Sequence, residues 1–217
     1  MKQFPYNLLS LLFFTIISGH VLTASGLPEL RTGDLIFQVE GKSDFSNAIT
    51  AATAVEDSLK FIHVGIIEKK GTGNIDVIEA SPEEGVRIVT LEKFLNDATR
   101  INGNPGAVVK RLSVDFSVET AISNALQHIG EPYDWWYLPD TGKMYCSELI
   151  YESYMTKNGE RIFHSRPMNF RAPDGTMPEF WINLFEKHGT EVPEGIDGTN
   201  PSDLSKEPVL IEVCRFF

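Results

Sequence analysis

A chain of 217 residues that is 42% hydrophobic, with 14 Phe, has apolar material for one sizeable core and is short for two. Its formal charge of −11, with no basic block anywhere, argues against a nucleic-acid partner, because binding to phosphates relies on clustered Lys and Arg. The acidity suits solubility and says little more about function.

The chain opens with an apolar run at residues 8–18, LLSLLFFTIIS, behind the single basic residue Lys2 and ahead of the small residues Thr23, Ala24, Ser25 and Gly26. This is the pattern of a secretory signal peptide over residues 1–25, so export to a periplasm or the extracellular space is expected, with one folded domain over 27–217. No later segment approaches the roughly 20 apolar residues of a transmembrane helix, so no stable membrane insertion of the mature chain is expected.

After the turn-like Thr32-Gly33, Asp34 to Gln38 reads as a buried strand, and Phe45 to Ala54, opened by Ser43 or Asp44, as a short helix. Phe61 to Glu68 and Ile75 to Ala80 are β-branched runs either side of Lys69-Lys70-Gly71-Thr72-Gly73-Asn74, a hairpin-like connection. Strands follow at Val86 to Thr90 and Ala107 to Leu112. Helices read at Leu91 to Asp97, at Val118 to His128 with Gly130 closing it, at Ser147 to Met155 and at Pro178 to His188. Val192 to Pro208, rich in Pro, Gly, Asp and Ser, reads as a loop into a last strand at Val209 to Val213. A small sheet from the first half with helices mostly from the second gives an α+β fold.

Cys146 stands where a helix would start, in KMYCSELIY, and a thiol there faces unpaired backbone N–H groups and the positive end of the helix dipole. Both favour thiolate, the nucleophilic form. A nucleophilic thiol needs a proton acceptor, and of the five histidines only His63 sits inside an apolar strand, FIHVGII, with Gly65 leaving room on the same face. The next strand carries Glu79 in an otherwise apolar setting. If Glu68 pairs with Asn74 across the hairpin, His63 falls directly opposite Glu79 on the same face, and the carboxylate orients the imidazole. Glu79, His63 and Cys146 then follow the logic of orienting group, base and nucleophile. Spacing alone does not make them converge, since 67 residues separate Glu79 from Cys146.

GDLIF at 33–37, HVGI at 63–66, VIEA at 77–80, EPYD at 131–134 and YCSELIY at 145–151 together resemble the NlpC-type papain-like cysteine peptidases, in their circularly permuted YiiX-like branch. The order carries the resemblance, because the histidine strand precedes the cysteine helix; the late Asn200-Pro201-Ser202-Asp203-Leu204 also fits. The resemblance implies a papain-like core with Cys146 as nucleophile, His63 as base and Glu79 as third residue. It also implies that Tyr133 lies near the thiol, where its phenol, with the Cys146 N–H, would donate to the oxyanion. It implies an amidase or peptidase acting on a small peptide or amide, murein peptides foremost, without cofactor; an acyltransferase or lipid hydrolase on the same residues, or a ligand-binding module keeping only the cleft, are the alternatives.

Bland readings stand beside these. Two cysteines in an exported chain invite a disulfide between Cys146 and Cys214. Glu79 could cap a loop or pair with Arg87, Tyr133 could be packing, and Trp135, Trp136 and Tyr137 could line a substrate groove or fill the core, though, being consecutive, they cannot all face one way. No His, Cys or carboxylate pair has the close spacing of a zinc motif, so no metal is expected.

Overall fold

The computed structural model describes residues 29–41, 47–49, 59–71 and 73–217; the leader read at 1–25 lies outside them, as does most of the helix read at 45–54, of which 47–49 are helical. A six-stranded sheet forms the centre, built from β1 (Leu35–Val39), β2 (Phe61–Lys69), β3 (Ile75–Ser81), β4 (Gly85–Thr90), β7 (Ala107–Leu112) and β10 (Leu210–Arg215). In space the order is β10-β7-β1-β2-β3-β4, and every pairing is antiparallel. The helices are α1 (Leu91–Asp97), α2 (Val118–Gln127), α3 (Cys146–Ser153), α4 (Glu179–His188) and the short α5 (Pro201–Leu204). Two-residue strands pair as β5 (Arg100–Ile101) with β6 (Asn104–Pro105) and β8 (Arg166–Pro167) with β9 (Asp197–Gly198).

β1 is buried along its whole length because both faces of the sheet are covered, which is why it reads as a continuous apolar run. Leu35, Phe37, Val64, Ile66 and Ile78 pack with Leu149 and Ile150 of α3 in the larger core. Ile36, Ile67 and Val77 form the smaller one with Phe94 of α1 on the opposite face. Alternation along the strands divides the residues this way.

Two close approaches set the site. Gly85 adopts φ +73, and a Cβ there would lie 2.1 Å from the Glu131 carbonyl oxygen. With no side chain in the way, the chain before Tyr133 runs along the end of β4: the Val86 N–H donates to Glu131 O at 2.8 Å and the Gly130 N–H to Val86 O at 2.9 Å. At the same end of the sheet, two strands away, α5 pins β2. Its Ser202 hydroxyl, fully buried, accepts from the Phe61 N–H at 2.8 Å and lies 3.0 Å from the Phe61 carbonyl.

Residues 192–208 are therefore not simply a loop. Asn200 caps α5 by accepting from the Asp203 N–H at 2.8 Å, and Pro201 opens the helix. Pro is tolerated at a helix start because its missing N–H would have had no partner there.

Candidate active site

Cys146 is the first residue of α3, 4% exposed. The helix entry is held by the Tyr145 N–H, which donates to the Glu148 carboxylate at 3.3 Å, and by the Tyr145 phenol, which accepts from the Thr199 N–H at 3.1 Å. Burial pushes the Glu148 carboxyl up to about 8; the Tyr145 N–H opposes this, and Asp134, Glu152 and Asp140 add repulsion. The first turn of α3 thus carries a carboxyl that ionises less readily than an exposed one.

His63 sits on β2 with its side chain 12% exposed, its ring stacked on Phe94 at 5.6 Å and 26°. Phe94 reaches it because Gly65 has no side chain: a Cβ there would stand 2.4 Å from Val77 Cγ1 and 3.3 Å from the Phe94 ring. Pairing with β1 places Gln38 opposite His63 and Val39 opposite Phe61, so Ile62 is an extra residue, a bulge immediately before the histidine. Bulges bend a strand locally and re-aim the neighbouring side chain.

His63 Nε2 lies 2.6 Å from Glu79 Oε2, and Glu79 is 4% exposed at its side chain. The register differs from the expected one. Glu68 pairs with Asp76 rather than Asn74, and Gly65 rather than His63 stands opposite Glu79. The hairpin loop sits one residue later than assumed, at 70–74 rather than 69–73, since β2 runs through Lys69 and β3 opens at its partner Ile75. A slip of two residues preserves the face, so the imidazole reaches the carboxylate along the diagonal instead.

The other carboxylate oxygen, Glu79 Oε1, accepts from Arg87 Nε at 2.9 Å and Nη2 at 2.8 Å. Arg87 is the direct cross-strand partner of Glu79 on β4, and its Nη1 also meets Glu84 at 2.7 Å. Glu79 therefore holds Arg87 and His63 at once; the two readings of it were not exclusive. Burial works against its charge, but hydrogen bonding to His63 and then to Arg87 holds its carboxyl below the usual range.

For His63, burial pulls toward the neutral ring. Its hydrogen bond with the Cys146 thiol, then that with Glu79 and the charges of both, outweigh burial and push it up to about 10. Nε2 being taken by Glu79, Nδ1 is the nitrogen left for sulfur. The structure thus brings three of the four predicted residues into one chain of contacts, Glu79 to His63 to Cys146, with Arg87 behind them.

Tyr133, the fourth, is 6% exposed and bridged to Met144 two residues before the cysteine. The Asp134 N–H donates to Met144 O at 3.2 Å and the Met144 N–H to Pro132 O at 3.1 Å. Burial pushes its phenol well above the ordinary value, with the charges of Tyr137 and Cys146 adding to the effect, so it is a proton donor at neutral pH.

Tyr133 and Cys146 border a cavity of about 120 Å³, with Tyr137, Tyr145, Phe170 and Trp181 in its walls and the polar Arg166 and Asp203 also lining it. Trp135 packs on Tyr133 at 4.9 Å, while Trp136 turns away to Lys143 and His188, so the three consecutive aromatics do face different ways.

Both cysteines are free, and Cys214 lies on β10 opposite Val109, which removes the disulfide reading. His128 and His164 are paired with Glu131 and Glu207. Sequence reasoning missed Phe94 and the part played by Ser202, while Tyr137 does line the cavity. The capping signature Asn200-Pro201 was the available signal for α5 and hence for Ser202.

The sequence profile of the family described as "Permuted papain-like amidase enzyme, YaeF/YiiX, C92 family" matches residues 29–214. Among curated proteins the chain is 25% identical over 189 residues to the uncharacterized protein YiiX of Escherichia coli (strain K12), covering 85% of this chain and 86% of that one. A crystal structure described as that of the metalloprotein yiiX from Escherichia coli O157:H7 superimposes with a TM-score of 0.66 at 25% identity, covering 85% of this chain and 97% of the other.

Proposed function

The chain belongs to the permuted papain-like amidases of the C92 family, and on that premise we propose that it hydrolyses amide bonds with Cys146, His63 and Glu79. One observation carries the reading: a single imidazole is hydrogen-bonded to a buried carboxylate at 2.6 Å and stands against the thiol at a helix N-terminus.

The thiolate of Cys146 attacks the carbonyl carbon, and the tetrahedral oxyanion is met by the Cys146 N–H and the Tyr133 phenol. Collapse breaks the C–N bond while imidazolium His63 gives its Nδ1 proton to the leaving amine. Neutral His63 then takes a proton from water, whose oxygen attacks the thioester; the acid leaves and the thiolate–imidazolium pair is restored. Glu79 stays ionised throughout and keeps Nε2 protonated, with Arg87 holding the carboxylate in place. Among the described residues no group of three or more His, Cys, Asp or Glu is arranged to hold a metal ion, and no step passes through one.

The proposal extends to murein-derived peptides as substrates and, from the apolar run at 8–18, to export. Among the described residues no helix is long and apolar enough to cross a membrane. The test is incubation with muropeptides and, separately, acyl lipids, read by mass spectrometry, beside Cys146→Ala. Loss of amide hydrolysis in a folded C146A variant supports the mechanism; undiminished turnover refutes it.

A further inference from the structure

Tyr137 adopts φ +53, a conformation bulky residues avoid and which costs about 1–3 kcal/mol. The fold enforces it. Fully buried Asp134 accepts from the Trp136 and Leu138 N–H groups, both at 2.9 Å, and so closes the turn that throws Tyr137 inward. Its ring is clamped by Tyr145 at 5.2 Å, Trp181 at 5.6 Å and Phe170 at 5.9 Å. The residue is 8% exposed and lines the cavity beside Cys146.

Its hydroxyl is buried and closes no well-formed hydrogen bond, the Tyr133 phenol reaching it only at longer range. Leaving a buried hydroxyl unpaired costs about 1–3 kcal/mol, so a strained turn that delivers one to a cavity wall is unexplained by stability. A ligand atom would explain it.

The cavity's place decides which half of the substrate it takes. His63, which protonates the leaving amine, is not among its lining residues, whereas Cys146 is. The leaving group therefore lies toward His63, and the cavity receives the acyl half that stays on sulfur. At about 120 Å³ the cavity compares with one of roughly 150 Å³ that holds benzene, and falls below the roughly 300 Å³ at which drug-sized pockets begin.

Resting on the cysteine-amidase reading above, we propose that this cavity is an acyl-group pocket for compact, largely apolar acyl groups of amino-acid size that carry one hydrogen-bond acceptor, and that the Tyr137 hydroxyl donates to that acceptor. Tyr137 is then the residue that separates an acylamino-acid from a plain hydrocarbon acyl group, and long fatty acyl chains are excluded by volume.

The experiment uses three p-nitrophenyl esters: N-acetylalanyl, its hydrocarbon counterpart 2,4-dimethylpentanoyl, and palmitoyl. In each, Cys146 Sγ bonds to the acyl carbon and the C–O bond breaks, releasing p-nitrophenolate; the nitrophenolate burst gives the rate and intact mass gives the adduct. The acetylalanyl ester should acylate Cys146 about 10-fold faster than the dimethylpentanoyl ester, with palmitoyl slowest. Tyr137→Phe, which keeps every ring contact and removes the unpaired hydroxyl, should bring the first two rates together, with Tm unchanged or raised and alkylation of Cys146 by iodoacetamide unchanged. Equal wild-type rates, a preference that survives in Y137F, or fastest acylation by palmitoyl overturns the pocket assignment while the nucleophile stands. Absence of any adduct on Cys146 sinks the amidase reading and the pocket with it.

Discussion

Glu79→Gln isolates the carboxylate from its shape. In the native protein the Glu79 oxygen lies 2.6 Å from His63 Nε2, both groups are nearly sequestered, and the histidine is pushed up to about 10. Two unit charges about 4 Å apart at an effective dielectric constant of 20 attract by about 4 kcal/mol, and each pKa unit is about 1.4 kcal/mol, so the carboxylate alone can account for up to about 3 units. Measured effects of one adjacent opposite charge run at about 1–3. Gln keeps an oxygen for Arg87 but removes the charge, so the His63 midpoint should fall to between about 7 and 9. NMR of the His63 ring across pH reads this directly. The alkaline limb of amide hydrolysis, which reports loss of the imidazolium acid, should move down by the same amount. An E79Q protein that is folded, with an unmoved His63 midpoint, would refute the idea that Glu79 tunes the imidazole.

In Cys146→Ala the largest raising influence on His63 is gone, so its midpoint should also fall, and an NMR titration showing no change would contradict the thiol–imidazole contact. Because the folded-state pKa of His63 lies above its value in the unfolded chain, its stabilising contribution is complete below about pH 6.5 and is lost as pH rises toward about 10; urea unfolding at intervals across that window should show the decline, absent in His63→Ala. Gly65→Ala should cost about 1–3 kcal/mol in chemical unfolding, since the new Cβ meets Val77 Cγ1 at 2.4 Å. Tyr154→Phe removes the buried hydrogen bond to Gly33 O, 2.9 Å long, and should cost about 1–2 kcal/mol in the same assay.

The sheet strands, the helices α1 to α4 and the thiol at a helix mouth follow from local pattern. Alternating β-branched runs, Asp34 beside a turn glycine and the apolar face of CSELIY are short-range signals that the tertiary structure only confirms. Asp34, at the mouth of β1, accepts from the Arg31 N–H at 2.8 Å and pairs with Arg111 at 2.6 Å. Strict alternation also placed His63 and Glu79 on one face, and survived an error in register because a two-residue slip keeps the face.

What local pattern could not supply is the third dimension of the site. The bulge at Ile62, the clamp of Ser202 on Phe61 and the run of residues 130–131 along Gly85 each join segments distant in sequence, and each is specified by packing rather than by propensity. Tyr137 shows the limit most sharply: nothing in WWY announces a left-handed residue, because the turn is imposed by the buried Asp134 carboxylate and the rings around it. Residue types fixed which chemistry was available; closure of the chain decided which of those groups meet, and long-range contacts are where that information resides.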